Sequence, residues 1–110
     1  MGTIQPEYLI VKTWSDDKGI NAVDNFIKKA NRGNKIFYKG KQQTNGYISY
    51  WMDWDGSKEG WNASNKYDRL RLEFISICKE KLEMATIIRI IPSGDIEERP
   101  LIEEIEIDNL

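Results

Sequence analysis

Two segments of this chain have the makings of strands, yet both are apolar on their two faces. Tyr8 to Trp14 (YLIVKTW) and Tyr47 to Trp54 (YISYWMDW) are dense in the β-branched and aromatic residues that strands favour. Side chains alternate across a strand. In the first segment Leu9, Val11 and Thr13 therefore share one face, and Tyr8, Ile10, Lys12 and Trp14 the other. In the second, Ile48, Tyr50, Met52 and Trp54 oppose Tyr47, Ser49, Trp51 and Asp53. Neither shows clean apolar–polar alternation. A sheet built on them must cover one face with other elements, and whichever face is covered, aromatic rings remain on the other.

The covering elements can be read from periodicity. Between the two strands, Ile20, Val23, Ile27 and Ala30 fall at helical spacing with Phe26 beside them. Asn21 and Asp24 form a weak capping box, Lys28, Lys29 and Arg32 suit the negative end of the helix, and Gly33 stops it. Lys35 to Lys39 (KIFYK) reads as a short strand, joined to Tyr47–Trp54 by a polar connection that ends in the turn signal Asn45-Gly46. A second helix follows, with Ser64 or Asn65 as its cap and an apolar stripe of Tyr67, Leu70, Phe74, Ile77 and Cys78. Met84 to Ile91 (MATIIRII) is the fourth strand. Leu101 to Ile107 fits either a period of two or a helical face, and an added strand is the favoured reading.

The order β-α-β-β-α-β resembles the ferredoxin-like arrangement. It implies one α+β domain over residues 1–110, with two helices on one face of an antiparallel sheet and the first and third strands at its centre. The resemblance is one of element order. It brings no activity with it, because one fold hosts many functions.

Charge is unevenly spread. Residues 1–94 hold fifteen Lys or Arg and eleven Asp or Glu, a net of +4, whereas residues 95–110 hold one and seven, a net of −6. A mildly basic body thus carries an acidic C-terminal segment. No window approaches the roughly 20 apolar residues of a membrane span, and Met1 to Glu7 does not read as a signal peptide. With a lone cysteine, which cannot form an internal disulfide, the expected setting is cytoplasmic, with no membrane partner. The many Lys, Asn and Ile residues fit an AT-rich bacterial or phage genome.

The chemistry of common enzymes is largely missing. The sequence has no histidine, the usual general base and metal ligand. Cys78 lies on the apolar stripe of a helix and reads as a structural thiol. Asp53, Asp55 and Glu59 are weakly like a calcium loop but lack its spacing, and read as a solvated acidic loop. No cofactor, metal or catalytic constellation is assigned. The loop before the second helix offers Ser57, Lys58 and Trp61 as an anchor for a phosphate-bearing ligand, although glycine turns and a tryptophan plug explain it as well.

The excess aromatic surface is then the feature to explain. An exposed apolar patch usually marks a contact. Three explanations compete: a homodimer or other protein contact through the sheet, a C-terminal segment folded back over that face, or stacking of nucleobases. The leading expectation is a small non-enzymatic interaction or ligand-binding module, of the kind a bacterial or phage regulator or inhibitor would be, acting through the aromatic sheet face and the acidic C-terminus. In one version Glu97 to Asp108 would occupy a basic groove on a target. The alternative is a nucleotide or single-stranded nucleic-acid binder. There Trp14, Tyr47, Trp51 and Trp54 would stack bases, and Lys35, Lys39, Lys41 and Lys58 would hold phosphates.

Overall fold

The computed structural model describes residues 7–33, 35–53, 62–91 and 101–110, the side chains of 62–64 excepted. Its elements run β1 (Tyr8–Trp14), α1 (Ile20–Ala30), β2 (Phe37–Lys39), β3 (Tyr47–Met52), α2 (Asn62–Lys81), β4 (Met84–Ile91) and β5 (Leu101–Asp108). The architecture is α+β: two helices and a five-stranded sheet of order β2-β3-β1-β4-β5 in which every pairing is antiparallel.

Period-two alternation decides which side chains face the helices. Leu9, Val11 and Thr13 of β1 are buried, as are Ile48, Tyr50 and Met52 of β3, Phe37 of β2, Ala85 and Ile87 of β4, and Ile107 of β5. Ile20 and Val23 of α1 meet them, with Phe74, Ile75 and Cys78 of α2 and Leu82 just past its end. Phe26, Phe37 and Phe74 form the aromatic heart of this core, with ring centroids 4.8–5.9 Å apart. Such offset and tilted pairs add to what burial alone contributes.

Several elements differ from the sequence expectation. β2 is shorter than Lys35–Lys39, beginning only at Phe37. Ile36 and Phe37 donate their amides to Asn31 Oδ1 at 2.8 and 2.9 Å, so the chain entering β2 is held by a side chain past the end of α1. Asn21 and Asp24 do not form a capping box. α1 starts at Ile20 with Gly19 before it and no side-chain cap, and Asp24 instead accepts from the Tyr50 hydroxyl and from Lys39 Nζ, both at 2.9 Å. α2 starts at Asn62, which puts Ser64 and Asn65 inside the helix rather than at its cap; once a helix is nucleated an added turn costs little.

The buried face of α2 is also rotated from the expected stripe, to Arg71, Phe74, Ile75 and Cys78, while Tyr67, Leu70 and Ile77 are only partly buried. Arg71 can sit there because Asp68 Oδ1 lies 2.8 Å and Glu7 Oε2 3.6 Å from its Nη1.

The C-terminal segment is a strand. β5 pairs with β4 along its whole length, from Met84↔Asp108 to Ile91↔Leu101, so it widens the sheet instead of folding across it. Asn109 locks its end: Nδ2 donates to the carbonyls of Lys79 and Leu82 at 2.7 and 2.8 Å, satisfying groups that the end of a helix leaves open. Among the described residues no helix is long and apolar enough to cross a membrane.

Candidate protein-interaction surface

Both helices pack on the Leu9–Val11 side of the sheet, so the other side carries Tyr8, Ile10, Lys12 and Trp14 of β1. The strand register aligns its side chains in rows. One row reads Tyr38–Trp51–Ile10–Ile88–Glu104 across β2, β3, β1, β4 and β5. The next reads Tyr8–Ile90–Ile102 across β1, β4 and β5, and the one below the first reads Ser49–Lys12–Thr86–Glu106 across β3, β1, β4 and β5. The middle of the face is therefore apolar and continuous. Trp51 is 52% exposed, Ile102 66%, Trp14 40% and Tyr8 37%. With roughly 200 Å² for a full side chain of this size, these four together present roughly 400 Å² to water, and the largest such patch on a monomer is often functional.

At one end of the face Trp14 and Tyr47 are cross-strand partners and their rings stack, with centroids 3.9 Å apart. Lys12 Nζ lies 4.6 Å from the Tyr47 ring centroid, and Lys35 Nζ 4.8 Å from that of Tyr38, both within cation–π range. The Tyr38 hydroxyl hydrogen-bonds Asp53, which raises the pKa of the phenol. Cations thus lie at β2 and β1. Glu104, Glu106 and Asp108 fall on the same face at β5, the opposite edge. The face is apolar in its middle and polarised across its width.

The structure divides the expected site residues into three groups. Trp14, Tyr47 and Trp51 share the open face, joined there by Lys35 through Tyr38. Lys39 does not join them. It is two residues from the buried Phe37, so alternation turns it to the helix side, where it pairs with Asp24. Lys41 is exposed beyond the end of β2. Trp54, Ser57, Lys58 and Trp61 lie outside the described residues, as does the Asp55–Glu59 loop. Ile88, Ile90 and Ile102 were not anticipated. Their signal was present: the run MATIIRII has isoleucine on both faces, which is excessive for an antiparallel strand with one face in water.

Among the described residues, two clefts of more than 400 Å³ reach the size of small-molecule sites. One, of about 420 Å³, is lined by Trp14, Asp16, Asp17, Lys18, Glu83, Met84 and Leu110. The carboxylate of Asp17 is spent on structure there, accepting from the amides of Gly19 at 2.9 Å and of Glu83 at 3.0 Å. The other, of about 410 Å³, lies among Glu7, Asp68, Arg71, Leu72, Ile75, Arg89 and Ile91. In it Glu7 bridges Arg71 and Arg89, and Glu103 adds a second carboxylate to Arg89 at 3.3 Å. The hydrogen bond from Arg89 to Glu7 raises the pKa of the guanidinium further, against the opposing effect of its partial burial. In the second cleft the charges answer one another.

Comparison with protein families, with curated proteins and with solved structures found no match. Cys78 is buried, and desolvation first, then the field of Asp17, pushes its thiol up to about 12, so the nucleophilic thiolate is scarce at neutral pH. Among the described residues no group of His, Cys, Asp or Glu is placed to hold a metal ion.

Proposed function

We propose that this chain is a non-enzymatic interaction module and that the open face of its sheet is the contact surface. The observation that carries the reading is the unbroken apolar middle of that face, Trp51–Ile10–Ile88 with Tyr8–Ile90–Ile102 beside it. Covering the roughly 300 Å² that Trp51, Tyr8 and Ile102 expose there is worth about 8 kcal/mol before the costs of association. On this reading the first four strands and both helices form a ferredoxin-like unit, and β5 is an addition that widens the exposed face. The acidic residues 103–108 act from a strand edge and not as an extended tail.

A photo-crosslinking residue placed at Trp51 tests the proposal in cells. Position 51 should give a discrete protein adduct, and the same residue at Leu72, 65% exposed on α2, should give none. Equal labelling from both positions, or none from 51, would refute the contact-surface reading.

Nucleic-acid binding has one observation in its favour, the stacked Trp14–Tyr47 pair flanked by Lys12. Two weigh against it. Lys39 is held on the helix side by Asp24, and Glu104, Glu106 and Asp108 share the face with the aromatics and would repel a phosphate backbone. Tryptophan emission should therefore stay unchanged when single-stranded oligonucleotides are added at low salt. A saturable quench that salt reverses would establish this second reading instead.

A further inference from the structure

The distribution of charge across the open face says what covers it. We infer that its occupant is a second copy of this chain, stacked sheet on sheet with the two-fold axis running along β1; the inference rests on the contact-surface reading above. Packed sheets lie about 10 Å apart with their strands nearly aligned, and a two-fold axis between them can run along the strands or across them. The strand order β2-β3-β1-β4-β5 makes these two cases chemically different.

With the axis across the strands, each strand lies over its own copy. Glu104, Glu106 and Asp108 of one β5 would then face the same carboxylates of the other, and the cations of the two β2 edges would meet as well. Like charges brought together repel. With the axis along β1, the order is reversed between layers. The row Tyr38–Trp51–Ile10–Ile88–Glu104 then meets its own reverse: Trp51 of each copy lies over Ile88 of the other, Ile10 meets Ile10 at the axis, and Tyr38, with Lys35 over its ring and Asp53 on its hydroxyl, lies over Glu104. In the next row Glu106 comes over Gly40, at the end of β2. Apolar side chains meet in the middle and Lys35 comes to Glu104 at each rim, so no carboxylate of β5 faces its own copy. Lys12 would meet its own copy at the axis, but its Nζ is already drawn aside over Tyr47. The roughly 400 Å² of exposed side chain counted above, with the half-buried isoleucines and the rim, approaches the roughly 800 Å² that each partner commonly contributes.

Sedimentation equilibrium on the full chain and two charge variants tests the arrangement. Wild type should be a dimer at micromolar concentration. Glu104→Lys/Glu106→Lys makes both edges basic, and Lys35→Glu makes both acidic; each alone should weaken dimerisation by roughly tenfold or more. An equimolar mixture of the two variants should recover wild-type affinity as a heterodimer, which also shows that both variants fold. A monomeric wild type overturns the inference; if position 51 still cross-links to another protein, the contact-surface reading survives it. A dimer indifferent to both variants overturns the proposed axis. Loss of adducts from position 51 in a chain that still dimerises overturns the face itself.

Discussion

Replacing Asp17 with alanine should destabilise the protein by on the order of 4 kcal/mol, seen as a fall in Tm of roughly 15 °C. Asp17 is only 8% exposed and stands between the end of β1 and the start of α1. Its Oδ1 accepts from Gly19 N at 2.9 Å and Glu83 N at 3.1 Å; its Oδ2 accepts from Glu83 N at 3.0 Å and Met84 N at 3.3 Å. The Thr13 hydroxyl lies 2.8 Å from Oδ2 and 2.9 Å from the Met84 carbonyl, and donates to one of them at a time. One carboxylate thus ties the β1–α1 corner to the α2–β4 corner, across more than sixty residues of sequence. Alanine would leave three backbone donors without their acceptor, and each buried orphan costs about 1–3 kcal/mol. Asparagine should cost less, because one carbonyl oxygen remains, although its amide nitrogen would face a backbone N–H. A loss below about 1 kcal/mol in Asp17→Ala, measured by thermal or urea unfolding, would show that water replaces the carboxylate.

The same residue sets an acid limb. Burial is the largest single influence on its carboxyl and opposes the charge, but the amides of Gly19 and Glu83, the Thr13 hydroxyl and the Met84 amide together hold the pKa below its ordinary value. A carboxyl whose folded pKa lies below its unfolded value of about 3.9 stabilises the fold above that pH. That contribution disappears as pH falls through the folded value. Wild-type stability should therefore decline more steeply than that of Asp17→Asn between about pH 5 and pH 2, since the asparagine does not titrate there. Parallel declines would mean that the charge is not what the amides hold.

Much of this molecule could be read from the sequence where local pattern and tertiary demand agree. Alternation in YLIVKTW places Leu9, Val11 and Thr13 inward and Trp14 outward, and the structure does the same. The period of two in Leu101–Ile107 is realised as a strand. What stayed illegible has long-range causes. Arg71 falls at helical spacing with Tyr67, Phe74 and Cys78, and its nearer partner Asp68 is local, but the second carboxylate that lets it be buried, that of Glu7, comes from 64 residues away in the chain. Lys39 belongs to a basic run in sequence, but the short β2 turns it toward α1 and away from Lys35. The role of Asp17 depends on Glu83 and Met84, and no local pattern announces partners so distant. For the candidate site, doubled apolarity in β1 and β3 was visible at once. The contribution of β4 and β5 needed the register, because only pairing shows that Ile88 continues the row begun by Trp51 and Ile10.

Gly19→Ala should be nearly as damaging as losing Asp17, by about 3 kcal/mol, and local reasoning forecasts the opposite sign. Gly19 has φ −81° and ψ −8°, a right-handed conformation that alanine adopts freely. At such a position the substitution usually stabilises by about 0.4–1 kcal/mol, because it restricts the unfolded chain. The neighbourhood reverses that. A Cβ on Gly19 would lie 2.1 Å from the Lys81 carbonyl oxygen, 2.4 Å from its carbon and 2.8 Å from Leu82 N. All three atoms are backbone at the end of α2, so no side chain can swing away. That backbone is itself fixed, by Leu82 N donating to the Cys78 carbonyl at 3.0 Å and by Asn109 Nδ2 donating to the Leu82 carbonyl at 2.8 Å. Relief requires α1 and α2 to move apart at the corner that Asp17 clamps, and overpacking of this kind costs about 1–3 kcal/mol or more. Gly19 and Asp17 serve one junction, so their losses should not add: the double variant should fall short of the sum by at least about 1 kcal/mol. Additive losses would place the damage from the extra methyl somewhere other than this corner. The junction is remote from the middle of the open sheet face, so a Gly19→Ala protein that still folds at low temperature should dimerise like wild type. That separates a defect in folding from one in binding.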